Sequence, residues 1–170
     1  MAAARVVGME IYGFTAGPFH TNTYVISEGR RAFIVDPGMD AMEKVLEHDF
    51  DYEAIVLTHG HIDHTRDAGA LAKKLDIPVY IHPADKFMLD RGEGVSAQAQ
   101  ELFDAAHMTP IETVRELRDG EILELLSHEF TLKHAPGHSP GCVIIVSQDF
   151  ALTGDVSVSY THLTLPTNRE

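Results

Sequence analysis

Three histidines and one aspartate lie close together in the stretch THGHIDH, residues 58–64. His59, His61, Asp63 and His64 belong to the residue types that bind zinc, iron or manganese through an imidazole nitrogen or a carboxylate oxygen. On an extended loop, residues two apart point the same way, so His59 and His61 can converge on one ion. A turn into a helix near Asp63 would direct Asp63 and His64 towards a second ion. The spacing therefore predicts the start of two neighbouring metal sites.

Two later stretches are able to complete these sites. APGHSPG, residues 135–141, places His138 in a loop rich in glycine and proline between two predicted strands. LTGD places Asp155 at the end of a predicted strand, where a carboxylate could bridge two cations. Each residue alone is equally compatible with an ordinary turn. Beside the first cluster, we interpret both as metal ligands.

The elements that must position these residues can be read from apolar periodicity. Runs rich in β-branched and aromatic residues predict strands at 6–14, 21–27, 31–36, 54–58, 77–82, 129–135, 142–147 and 150–154. Apolar residues at helical spacing predict helices over 67–75, around Met42–Leu46, and through Ala99–Ala106 with Ser96 as the N-cap. Helices and strands alternate first and strands dominate later. This order predicts an α/β protein with mixed sheets.

Composition limits the class of protein. A chain of 170 residues with 44% hydrophobic residues is large enough for one domain with a real core. The net charge of −13 argues against a nucleic-acid partner, because such surfaces are normally basic. Cys142 is the single cysteine, which excludes an internal disulfide and indicates a reducing compartment; we interpret it as a buried core thiol. The N-terminal residues show no signal peptide and no membrane span, so we expect a cytoplasmic protein without a membrane partner.

The motifs THGHIDH, APGHSPG and TGD, in this order, resemble those of the metallo-β-lactamase superfamily. The stretches GPFHTNTYVI, FIVDPG, PVYIHPAD and LRDGEIL resemble the glyoxalase II-like hydrolase branch of that family. The resemblance covers about residues 9–156. It implies an αββα sandwich with the metals at one edge between the two sheets.

The resemblance also implies a role for each site residue. One or two zinc ions are expected, with iron or manganese as alternatives. The implied ligands are His59, His61 and His138 for the first metal, Asp63 and His64 for the second, and Asp155 as the bridge. In the family a final histidine ligand lies well beyond the bridging aspartate, whereas here only His162 follows Asp155.

The activity that the resemblance implies is hydrolysis of a small-molecule thioester by a metal-bound hydroxide, which Asp63 would help to orient. A mononuclear iron persulfide dioxygenase is an alternative enzyme, and iron content and oxygen uptake would distinguish it. A β-lactamase and a nucleic-acid-processing enzyme are disfavoured, by the absence of an export signal and by the acidic charge respectively. An inactive metal-binding fragment is the non-enzymatic alternative. The sequence predicts no oligomeric state.

The C-terminal stretch SVSYTHLTLPTNRE departs from the family pattern. The family continues after the TGD motif into a glycine- and aromatic-rich stretch and further strands and helices. The present stretch instead looks like translated sequencing-adapter read-through. We therefore predict that residues 1–156 form a metallo-β-lactamase-like domain whose second half is incomplete, and that residues 157–170 are a non-native tail.

Overall fold

The computed structural model describes residues 2–6, 8–156 and 163–164 of the chain. The strands are β1 (Ala2–Val6), β2 (Met9–Ala16), β3 (Thr21–Glu28), β4 (Arg31–Val35), β5 (Asp51–Val56), β6 (Val79–Ile81), β7 (Val114–Glu116), β8 (Ile122–Leu125), β9 (His128–His134), β10 (Val143–Val146), β11 (Ala151–Leu152) and β12 (Leu163–Thr164). The α-helices are α1 (Ala41–Leu46), α2 (Ile62–Thr65), α3 (Ala68–Leu75) and α4 (Ala97–Leu102). Short 3-10 helices cover Pro83–Leu89, Ala105–His107 and Gly154–Val156.

Two sheets face each other. The first contains β1 to β7 in chain order, antiparallel from β1 to β4 and parallel from β4 to β7. The second has the order β12-β11-β10-β9-β8, and its neighbouring strands are antiparallel. The predicted α/β class is confirmed, with the mixed pairing in the first sheet.

Each face of the first sheet is covered by its own hydrophobic core. On one face, Phe33 and Phe130 meet edge to face with ring centroids 5.4 Å apart, and their cluster fills the space between the two sheets. On the other face, Leu71 of α3 packs in a cluster with Ile34 and Leu57 of the sheet. The apolar run of residues 54–57, at the end of β5 and directly after it, follows from this arrangement, because a strand in the parallel part of a sheet is buried on both faces.

The parallel part of the first sheet determines where the loops emerge. β4 and β5 run side by side in the same direction, with Val35 paired to Val56. Their carboxyl ends therefore lie at the same edge, which is the usual location of sites in parallel sheets. The backbone N–H of Val143 in β10 donates to the carbonyl of Thr58 at 2.9 Å, which brings the second sheet to this edge.

Several predicted element bounds were wrong. The first predicted strand is divided into β1 and β2, because Gly8 adopts a left-handed φ of 79° between them. The predicted helix through Ala106 stops after Leu102, since Asp104 is left-handed with φ 51°. The short strands β7 and β8 were not predicted, because three or four residues are too few to show a period. Ser96 does cap α4, with Ala99 N–H donating to its hydroxyl at 3.2 Å.

The predicted non-native tail, residues 157–170, lies outside the described residues except for β12. The backbone of β12 pairs antiparallel with β11. His162 also lies outside the described residues, and the interpretation of the tail stays a prediction.

Candidate metal centre

The six predicted ligands meet at the edge where the two sheets come together. His59 follows β5, and His61 is the N-cap residue of α2, which carries Asp63 and His64 in its single turn. The connection from β9 to β10 brings in His138, and the 3-10 helix after β11 brings in Asp155. The predicted turn into a helix near Asp63 is present. Residues from three separate stretches of the chain therefore converge on one point.

The carboxylate of Asp155 lies at the centre of this group. Its Oδ2 is 3.3 Å from His64 Nε2, 3.3 Å from His138 Nε2 and 4.0 Å from His59 Nε2. One oxygen thus faces imidazoles from both halves of the cluster. This is the placement that a bridging carboxylate requires.

His59, His61 and His138 form a compact three-nitrogen group. One nitrogen from each lies within 4.8 Å of the others, and His61 Nδ1 is 3.0 Å from His138 Nε2. Zinc–nitrogen bonds of about 2.0–2.1 Å in a tetrahedron place two ligand nitrogens about 3.3 Å apart. The spacing of these nitrogens therefore suits a single ion, with only small side-chain adjustments.

The ring nitrogen of His59 that faces the cluster has no hydrogen-bond partner among the described residues, although it is fully buried. A buried polar atom without a partner is costly and calls for an explanation such as an ion. The other nitrogen, Nδ1, is 3.1 Å from the hydroxyl of Thr58, which itself donates to Asp36 Oδ2 at 2.5 Å. Because that hydroxyl hydrogen is used on Asp36, Nδ1 of His59 must donate. Its Nε2 then carries the free lone pair that a metal needs.

Asp36 orients a second imidazole as well. Its Oδ2 is 2.9 Å from His64 Nδ1, and its Oδ1 accepts from the backbone N–H of Thr58 at 2.8 Å. Asp36 lies close enough to His59 and His64 to be considered a metal ligand itself. Both of its oxygens are already engaged by protein donors, so we interpret it as a support that directs His64 Nε2 towards Asp155.

Sequence reasoning did not identify Asp36 as part of the site. It was noted only as the last residue of the predicted strand 31–36 and within the motif FIVDPG. The signal that could have found it is topological: a carboxylate at the end of β4 lies beside residues at the end of the parallel strand β5.

Asp63 completes the second group with His64 and Asp155. Its Oδ2 is 3.4 Å from His64 Nε2 and accepts a hydrogen bond from the hydroxyl of Thr21 at 3.0 Å. Thr21 lies at the start of β3 and is buried, so the hairpin of β2 and β3 helps to hold this carboxylate.

The electrostatic environment divides the imidazoles into two kinds. Burial lowers the pKa of His59 to about 2, and nearby His64 and His61 act in the same direction. Burial and the neighbouring His138 also lower the pKa of His61. His64 is different: burial alone would lower its pKa, but hydrogen bonds with Asp155 and Asp36 outweigh it and raise the pKa to about 10. Without a metal, His59 and His61 are therefore neutral at pH 7, the form that binds metal, whereas His64 is protonated.

Two chemically reactive residues outside the predicted metal site, Cys142 and His82, make contacts that support the fold. Cys142 is buried, as predicted, with its sulfur 3.1 Å from the Ser139 hydroxyl. His82, which was left out of the predicted site, caps the 3-10 helix Pro83–Leu89 by accepting from Ala84 N–H at 3.1 Å, and its ring stacks on His134 at 4.0 Å. None of the helices in the described part of the chain has the length and apolar character of a membrane span.

Comparison with known proteins gives a consistent result. A family model for the metallo-beta-lactamase superfamily matches residues 16–167. An uncharacterized protein of Mycobacterium leprae is 39% identical over 158 residues, which span 86% of this chain and 72% of that protein. The hydroxyacylglutathione hydrolase GloC of Haemophilus influenzae is 32% identical over 158 residues, spanning 88% of this chain and 72% of that enzyme.

Solved structures show the same similarity. BLEG-1, a B3 metallo-beta-lactamase, is 30% identical with a TM-score of 0.65, covering 81% of this chain and 67% of that protein. TTHA1623, solved in a di-iron-bound form, is 34% identical with a TM-score of 0.65, covering 80% of this chain and 66% of that protein.

Proposed function

The chain belongs to the metallo-beta-lactamase superfamily, and from this premise we propose that it is a metal-dependent hydrolase of small-molecule thioesters, similar to glyoxalase II. The observation that carries the proposal is the buried, unpartnered Nε2 of His59, which converges with nitrogens of His61 and His138. The similarity to a hydroxyacylglutathione hydrolase supports the choice of thioester.

The donor set fits one or two divalent cations. His59, His61 and His138 would hold the first, Asp63 and His64 would hold the second, and Asp155 would lie between them. Imidazole nitrogens and carboxylate oxygens suit zinc, iron and manganese alike. When bound, such a cation lowers the pKa of a coordinated water to about 7 and polarises an acyl carbonyl.

The residues around the cations have separate tasks in this proposal. Asp63 accepts a hydrogen bond from the attacking water and so aligns its lone pair with the acyl carbon, while Thr21 keeps the carboxylate in place. His59 and His64 are buried, whereas His61 and His138 are more exposed. The thioester therefore approaches from the side of His61 and His138, and the buried imidazoles close the site from behind.

The experiment combines metal analysis with a thioesterase assay. The protein, loaded with zinc and separately with iron, is given a hydroxyacylglutathione, and thiol release is followed with a chromogenic reagent. His59→Ala is expected to lose bound metal and to lower turnover at least 100-fold, because the innermost nitrogen ligand is gone. His107→Ala, an exposed histidine paired with Asp104, is the matched control and is expected to keep both. Metal uptake and turnover by His59→Ala equal to those of the wild type would reject the proposal.

A second candidate is an oxidative iron enzyme of the persulfide dioxygenase kind, because imidazole and carboxylate donors suit iron as well as zinc, and TTHA1623 was solved with iron bound. This candidate predicts that the iron-loaded protein takes up oxygen with a glutathione persulfide, whereas the hydrolase predicts no oxygen uptake with any metal. Likewise, the similarity to BLEG-1 makes nitrocefin hydrolysis a useful additional assay. Thioester turnover with no oxygen uptake and no nitrocefin turnover is the outcome that the hydrolase proposal requires.

A further inference from the structure

Asp85 is a fully buried carboxylate that lies beside the metal centre without belonging to it. It is in the 3-10 helix Pro83–Leu89, after β6, and its exposed fraction is 0%. None of the described basic side chains forms an ion pair with it. Burying a carboxylate without an ion-pair partner is costly unless several hydrogen bonds compensate for the lost hydration. The hydrogen bonds that Asp85 accepts must therefore provide this compensation.

The partners of Asp85 come from both loops that carry the first group of histidines. Its Oδ2 accepts from the backbone N–H of Gly60 at 2.9 Å, and Gly60 lies between His59 and His61. Its Oδ1 accepts from the backbone N–H of Gly141 at 2.7 Å, in the loop of His138. One carboxylate thus holds a loop of the first sheet and a loop of the second.

A third hydrogen bond strengthens the link to the second loop. The hydroxyl of Ser139, directly after His138, donates to Asp85 Oδ2 at 2.5 Å. Ser139 is itself buried, and its backbone N–H contacts the sulfur of Cys142 at 3.3 Å. The residue that follows His138 is therefore fixed on two sides.

The fit between Asp85 and the two loops leaves no room for a side chain at either glycine. A Cβ on Gly60 would lie 2.8 Å from the Asp85 carbonyl oxygen, and one on Gly141 would lie 2.6 Å from the Asp85 Cγ. Gly137, in the same loop as Gly141, has no atom within 4 Å of such a Cβ. The close approach is therefore specific to the points where the loops contact Asp85.

We propose that Asp85 is the positioning residue of the first metal site: by binding Gly60 and Gly141 with its two oxygens, it determines the distance from His59 and His61 to His138. This inference rests on the proposed metal centre. In this proposal Asp85 contacts neither the metal nor the substrate. Its consequence is that metal affinity depends on a carboxylate that binds no metal, as for other groups that orient metal ligands.

The test is zinc affinity, measured on the metal-free protein by competition with a chromophoric chelator. In Asp85→Asn one oxygen becomes an NH₂ group, so one of the two backbone N–H groups loses its acceptor. The dissociation constant for zinc at the first site is expected to rise about 10- to 100-fold. Cobalt loaded in place of zinc is expected to show a changed visible spectrum, because the geometry of its nitrogen ligands changes.

The matched control is Asp67→Asn. The Asp67 carboxylate accepts from the backbone N–H of Met42 at 3.0 Å, away from the imidazoles. This variant is expected to lose stability but to bind zinc with the wild-type constant and to give the wild-type cobalt spectrum. Wild-type zinc affinity and cobalt spectrum in Asp85→Asn would overturn the positioning role. If His59→Ala also kept wild-type affinity, the metal centre itself would be rejected.

A second pair of variants keeps the proposal testable if Asp85→Asn does not fold. Gly141→Ala retains the carboxylate but pushes the loop of His138 away from it, and it is expected to weaken zinc binding about 10-fold. Gly137→Ala adds the same methyl group to the same loop without a clash, and its affinity is expected to be unchanged. Equal zinc affinities for the two glycine variants would contradict the proposal.

Discussion

At the scale of single residues, the hydroxyl of Thr58 joins a carboxylate to an imidazole. It donates to Asp36 and accepts from His59 Nδ1, so it determines which nitrogen of His59 carries the hydrogen. A metal binds only the ring nitrogen that carries no hydrogen. The Thr58 hydroxyl therefore influences metal binding by His59 without contacting the metal itself. Asp36 extends the effect to His64.

We predict that Thr58→Val weakens zinc binding at the first site about 10-fold, because it removes the acceptor that keeps His59 in the metal-binding tautomer. The valine has nearly the same shape, and the bond from the Thr58 backbone N–H to Asp36 is retained. The measurement is chelator competition on the metal-free protein. An unchanged zinc constant would show that the hydroxyl does not control the tautomer.

Thr65 provides the control for this substitution. Its hydroxyl is buried and has no hydrogen-bond partner among the described residues. Thr65→Val is therefore expected to leave zinc affinity unchanged and to raise the free energy of unfolding by about 1 kcal/mol, since it removes an unsatisfied polar group. Urea unfolding of the metal-free protein measures the second effect.

The residues that the sequence pattern identified are close together in the chain, whereas the residues that it missed are far from their partners. His59, His61, Asp63 and His64 are neighbours in the chain, and their spacing alone predicted a shared site. Asp36 was missed because it lies 22 residues before Thr58, to which it is hydrogen-bonded. Asp85 was missed for the same reason: its partners belong to two loops that only the folded sheets bring together. Local spacing indicated the four candidate ligands of this stretch, whereas the groups that orient them depend on tertiary contacts.

At the scale of elements, the two sheets are linked at both ends of β5. The carboxyl end leads into the metal centre. Near the other end, Glu53 Oε2 accepts from the backbone N–H of Leu126 at 3.2 Å, in the turn between β8 and β9, and its Oε1 pairs with Arg31 of β4. One glutamate of the first sheet thus holds a hairpin of the second sheet.

We predict that Glu53→Ala lowers the free energy of unfolding by about 1 kcal/mol, mainly through the lost acceptor for Leu126 N–H. The ion pair with Arg31 is partly exposed and contributes little. Zinc affinity is expected to stay at the wild-type value, because the site is at the other end of β5. Urea unfolding and chelator competition measure the two effects.

Glu124→Ala is the control for this prediction. Glu124 is exposed and lies opposite Glu129 across the strands β8 and β9, so its removal relieves a like-charge pair. No loss of stability is expected. A loss in Glu53→Ala no greater than that in Glu124→Ala would contradict the assigned link between the sheets.

The long elements were predictable from the sequence and the short ones were not. β3, β4 and α3 show a clear apolar period, and the structure has them within a few residues of the predicted bounds. β7 has three residues and α2 has four. Segments this short contain too few residues for a recurring apolar pattern to be recognised. α2 was expected only because its ligands required a turn there. Their conformation depends on the sheet edge and the loops around them rather than on local preference.

At the scale of the whole molecule, the metal-free cluster ties stability to pH. His59 has a pKa of about 2 in the folded protein, below the ordinary value of 6.5. The unfolded chain therefore binds more protons between these values, and stability rises with pH up to about 6.5. His64 has a folded pKa of about 10, above 6.5, so its contribution is complete below 6.5 and is lost as pH rises to 10.

We therefore predict that the metal-free protein is most stable near pH 6.5, with its free energy of unfolding falling on both sides by up to about 1.4 kcal/mol per pH unit. Asp155 adds to the acid side only below its ordinary pKa of 3.8, because its folded pKa is lowered. Urea unfolding at pH values from 5 to 9 measures the profile. His59→Asn should make the acid side less steep and His64→Asn the alkaline side, since each removes one strongly shifted imidazole, while the lowered pKa of His61 keeps part of the acid slope. If both variants kept the wild-type profile, its pH dependence would have to arise outside the metal centre.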